Sequence, residues 1–149
     1  MRNSCFIFVL FIIIGCSNND DEIVDYAGNA ILGDWILDSE YTFDPDFPES
    51  PIPALMDGCE GKLTYSFQSD GTFNVEYFER DEQNCISRGV NSGEWTVVSD
   101  SVYTFKPSFK INQTGVLSGK YYALFSEDLQ AMALMNVNNS TKEIVYFKE

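Results

Sequence analysis

The chain has 149 residues, enough for one domain with a substantial core but not for two. It carries 9 basic and 23 acidic residues, a net charge of −14 at pH 7, and no histidine. That field repels nucleic acid and anionic head groups, and without histidine there is no Ser/His or Cys/His nucleophile.

Arg2 is the only charge before Asp20, and Phe6 to Ile14 is an unbroken apolar run. A spanning helix needs roughly 17–25 such residues, so the run is too short to cross a bilayer and reads as a secretory signal. Ile13-Ile14-Gly15-Cys16 then resembles the lipobox read by lipoprotein signal peptidase. The resemblance implies a cut after Gly15 and a lipid on Cys16. Several acyl chains, at about 0.8 kcal/mol per buried CH₂, would make the membrane attachment effectively permanent. Residues 1–15 are therefore expected to be a signal peptide, 16–29 an acidic tether and 30–149 the folded domain. Ser17-Asn18-Asn19-Asp20-Asp21-Glu22 resembles the tether of lipoproteins exported to the outer surface of some Gram-negative bacteria. A plain solvated spacer accounts for the same residues equally well. The expected address is the outer membrane, with the cell surface as the favoured side. Cutting removes Arg2 and no acid, so −14 becomes −15.

The rest of the chain alternates with period two and shows no helical stripe. Trp35, Leu37, Ser39, Tyr41 and Phe43 are expected to face inward from a strand entered through Gly33, with Asp34, Asp38, Glu40 and Thr42 outward. Residues 44–58 hold four of the five prolines, which predicts a long loop without a ladder, placed across a barrel mouth. Leu63, Tyr65 and Phe67, then Phe73, Val75 and Tyr77, alternate around Ser69-Asp70-Gly71. A three-residue turn with Gly71 left-handed pairs Phe67 with Phe73, Tyr65 with Val75 and Leu63 with Tyr77. A slip of one residue would turn every aromatic outward. Further strands are expected at 93–98, 102–106, 117–125, 129–136 and 143–148. The tally is eight strands with short connections: an all-β, antiparallel up-and-down meander that hides its edges by closing into a barrel.

After the cut, Cys59 and Cys85 remain besides Cys16, and an even pair outside the cytoplasm is expected to form a disulfide. Two thiols without histidine make a poor metal site, and no metal or other cofactor is expected. Asp44-Pro45-Asp46 with Glu49 offers oxygens to Ca²⁺ but lacks the glycine and ligand spacing of a calcium loop. No phosphate loop is present, and carboxylate pairs among 23 acids arise by chance, so no enzyme is expected.

Ile31-Leu32-Gly33-Asp34-Trp35, Ser69-Asp70-Gly71-Thr72-Phe73 and Gly93-Glu94-Trp95, with Cys59 and Cys85 flanking the hairpin, resemble the lipocalin-like domains of bacterial surface lipoproteins. The resemblance implies a small β-barrel over roughly residues 30–148, and Gly33, Trp35 and the cysteines carry over as structural residues only. If the interior is open, Trp35, Tyr65, Phe67, Phe73, Tyr77 and Trp95 would line a pocket for a small apolar or amphipathic ligand. If it is closed, they are core, and the acidic exterior becomes a surface for a basic protein partner. The expected state is a monomer.

Overall fold

The computed structural model describes residues 26–44, 46–54, 58–109 and 116–149. The signal peptide, Cys16 and most of the tether lie outside these residues.

Nine antiparallel strands form one sheet: β1 (Gly33–Asp44), β2 (Phe47–Pro53), β3 (Thr64–Phe67), β4 (Thr72–Asp81), β5 (Asn84–Ser99), β6 (Val102–Pro107), β7 (Gly119–Phe125), β8 (Ala131–Asn136) and β9 (Asn139–Lys148). Their order is β2-β1-β3-β4-β5-β6-β7-β8-β9, and β1 also pairs with β9. The meander therefore closes into an eight-stranded barrel, with β2 outside the ring. The turns after β3, β5 and β7 lie at the lower end, together with the start of β1 and the end of β9. The turns after β4, β6 and β8 lie at the upper end.

The hairpin of β3 and β4 has the register that its aromatics demand: Phe67 opposite Phe73 and Tyr65 opposite Val75. Gly71 has φ +82°, and a Cβ there would lie 3.1 Å from the Tyr26 ring, so both backbone and space require glycine. Asp70 braces the turn by accepting from the Thr72 hydroxyl at 2.7 Å and the Thr72 N–H at 2.9 Å. Those bonds, the hydroxyl foremost, hold its carboxyl below the usual range.

Several expectations are corrected. The segment 44–58 is not a free loop, because β2 pairs with β1 through Tyr41–Pro53, Thr42–Ile52 and Asp44–Phe47. Prolines are tolerated because β2 is an edge strand. β2 also fills the side of β1 that four-residue β3 leaves open at the upper end. β5 starts at Asn84 rather than 93, and β9 at Asn139 rather than 143. In β5 the extension is an exposed ribbon with β4, which shows no apolar alternation. Leu63 does not pair with Tyr77. The β3–β4 ladder ends at Thr64–Glu76, and beyond it the register to β5 shifts, with one extra residue on β5 between Ser87 and Val90.

A second irregularity changes the faces of β1. Its register to β9 shifts between Leu37 and Ser39. Beyond it Glu40 is buried, while Ser39, Tyr41 and Phe43 are only half-buried. One extra residue in a strand reverses which side chains point inward.

Candidate functional site

Aromatic rings pack the lower interior of the barrel. Trp35, Tyr65, Phe67, Phe73 and Trp95 are all buried. Phe67 sits 5.4 Å from Tyr65, 5.8 Å from Phe73, 5.7 Å from Phe105 and 6.2 Å from Trp95, centroid to centroid. These separations are those of favourable ring pairs, which leave no room for a guest between them. Five of the six sequence-derived lining residues thus come together, as each other's packing partners. Tyr77 does not join them: it stays half-buried at the margin of the core, where the β4–β5 register shifts.

The lower end is plugged by the segment preceding β1, including the last residues of the stretch read as tether. The Tyr26 ring lies 4.5 Å from that of Trp95, and the Tyr26 N–H donates to Ser69 O at 2.9 Å. Ile31 is fully buried, and its carbonyl accepts from Trp35 Nε1 at 2.7 Å. Tyr103 donates its hydroxyl to Asn29 Oδ1 at 2.9 Å. Higher up, the Leu117 N–H donates to Tyr65 Oη at 2.7 Å, tying the β6–β7 connection into the core. Burial pushes the Tyr65 and Tyr146 hydroxyls well above the ordinary tyrosine range.

The upper end differs. Lys142, Ile144 and Tyr146 share the inward parity of β9, and Lys142 Nζ meets Glu40 Oε1 at 2.8 Å. Glu40 is 7% exposed, the one buried charged residue among those described, whereas the Lys142 side chain is half exposed. Beside the pair opens a recess of about 240 Å³ lined by Tyr121, Asn136, Asn139, Lys142 and Ile144. Tyr121 and Ile144 make an apolar floor, each less than a tenth exposed, and the two asparagines and Lys142 form a polar rim. None of these residues was singled out from sequence. The parity of Lys142 with Ile144 and Tyr146 was a legible signal for it, but no pattern revealed the bulge that brings Glu40 inside.

Cys59 and Cys85 form the disulfide, with Cα atoms 5.2 Å apart. It ties the 3-10 turn Glu60–Lys62, wedged between β1 and β4, to the projecting β4–β5 ribbon. Among the described residues, no cluster of three or more His, Cys, Asp or Glu could hold a metal ion, and no helix is long and apolar enough to cross a membrane.

Comparison with curated proteins finds no match. A family model described as a lipocalin-like domain matches residues 31–131, from the buried Ile31 of the plug to the first residue of β8. That match takes in about two-thirds of the chain and six of the eight barrel strands entire, and on it the chain belongs to the lipocalin-like domain family.

Proposed function

We propose that the protein is a lipid-anchored lipoprotein of the outer membrane whose barrel captures one end of a small amphipathic molecule at its upper mouth. The observation that carries this reading is the recess beside Lys142, apolar below and polar at the rim, standing above a ring-packed core. Its volume of about 240 Å³ is under the roughly 300–1,000 Å³ of sites that engulf a ligand. The occupant is therefore gripped by a head group and its first carbons, with the rest outside.

The test is native mass spectrometry of the full chain after incubation with a total lipid and metabolite extract. A reproducible adduct that disappears in Ile144→Arg supports the reading; an adduct-free mass in the unaltered chain sinks it. The anchor is tested separately by metabolic labelling with an alkynyl palmitate, which Cys16→Ser should abolish.

A second reading is favoured by the outer face. Tyr122 and Leu124 on β7, with Ala133, Met135 and Glu143, line a shallow recess of about 230 Å³ on the outside of the barrel. Leu124 is 67% exposed there. An apolar strip on so acidic a molecule suits a basic protein partner. Salt-sensitive binding to cationic proteins, weakened in Leu124→Ser, would support it; salt-independent or absent binding would count against it.

A further inference from the structure

We propose that the mouth recognises a cationic head group, a primary amine on an apolar tail, which Glu40 takes in exchange for Lys142. The proposal deepens the carrier reading above and rests on it.

A carboxylate removed from water must keep a positive partner, because its desolvation is otherwise uncompensated. Glu40 is nearly inaccessible and fixed in the middle of β1, opposite Ile144 of β9. Lys142 can leave. Its side chain is half exposed, and its ammonium is a hydrated point charge on a flexible stem. When Lys142 swings into solvent it vacates the place beside Glu40 and opens the wall of the recess that it forms. What remains is a carboxylate on the strand position opposite Ile144, next to the floor that Ile144 and Tyr121 make. An incoming alkylammonium restores the ion pair and also buries its first methylenes on that floor, which Lys142, tethered to the strand, does not do.

Other head groups fit worse. A carboxylate docking on Lys142 would draw the ammonium from Glu40 and set two negative charges side by side. An alcohol would leave Glu40 without a counter-charge whenever Lys142 moves. The net charge of −14 also raises the local concentration of cations and lowers that of anions.

The experiment is calorimetric titration of the full chain with three water-soluble probes of equal tail length: hexylamine, hexan-1-ol and hexanoate. Hexylamine is expected to bind one-to-one and several-fold tighter than hexanol, with hexanoate weakest; the full gain of a charge-assisted over a neutral hydrogen bond is reached only once Lys142 no longer competes. In Glu40→Gln the amine preference should vanish while hexanol binding persists. In Lys142→Met, which removes the internal competitor and leaves Glu40 in place, hexylamine should bind several-fold tighter than to the unaltered protein. Melting curves of both variants show that the fold is retained. Equal binding of the three probes, tighter hexanoate, or weaker hexylamine in Lys142→Met overturns the amine assignment and leaves the carrier reading standing. Failure of all three probes to bind overturns both.

Discussion

The two ends of the barrel are built on opposite plans. At the lower end, indole and phenol groups find hydrogen-bond partners in a strap of the same chain, and the rings between them pack against one another. At the upper end the wall is completed by a disulfide and a 3-10 turn, and the interior finishes in an ion pair beside a recess. Ring packing is concentrated at the lower end. The upper end carries the buried charge and its half-exposed lysine partner, a division that suits the capture proposed for that end.

The contrast can be broken most violently from below. Trp35→Ala removes a fully buried indole together with its bond to Ile31, and should cost about 3–5 kcal/mol in chemical denaturation. A midpoint unchanged from that of the unaltered protein would contradict the filled lower core. From above, the double change Cys59→Ser with Cys85→Ser should cost about 3–4 kcal/mol on the chain-entropy account, given a sequence separation of 26. It should loosen the ribbon and the 3-10 turn first, so hydrogen exchange ought to rise at the upper end while the Trp95 amide stays protected.

Alkaline pH attacks the packed core without mutation. Tyr65 and Tyr146 have raised values in the fold, so their contribution is complete below the unfolded tyrosine value near pH 10 and is lost as pH climbs above it. Each should lower stability by about 1.4 kcal/mol per pH unit there. Absorbance at 295 nm should report these two ionising together with unfolding, after the exposed tyrosines. A smaller break is Gly93→Ala. A Cβ at that position would lie 2.3 Å from Phe73 Cζ and 2.7 Å from Lys106 O, so about 1–3 kcal/mol of overpacking is expected in a thermal melt. Leu124→Ser, on the outer face, should stay within about 0.5 kcal/mol of the unaltered protein by the same measurement.

The lower end was the legible one. Trp35, Tyr65, Phe67, Phe73 and Trp95 alternate in strands whose neighbours are polar, and the Ser69-Asp70-Gly71 turn fixes the register by itself. Gly-x-Trp at 33–35 and 93–95 carries the family resemblance in the sequence itself. The upper end was hidden for physical reasons. A bulge adds a residue without a compositional mark, so Glu40 was assigned to the surface by a parity that fails two residues before it. The exposed ribbon of β4 and β5 buries neither face, so period-two reasoning has nothing to detect. The prolines of β2 argue against a central strand but not against an edge, and that distinction depends on where the strand lies.

β2 has a further consequence. A closed barrel offers no open rim of N–H and C=O groups to a neighbour, and this one strand reinstates such a rim on the outside of β1. Three of its seven residues are Pro48, Pro51 and Pro53, which supply no N–H. A second chain laid along that rim would find its hydrogen-bond ladder interrupted at nearly every other rung. The prolines thus work against continuation of the sheet from one copy to the next, and replacing them with valine should raise the tendency to aggregate, read as light scattering in concentrated solution.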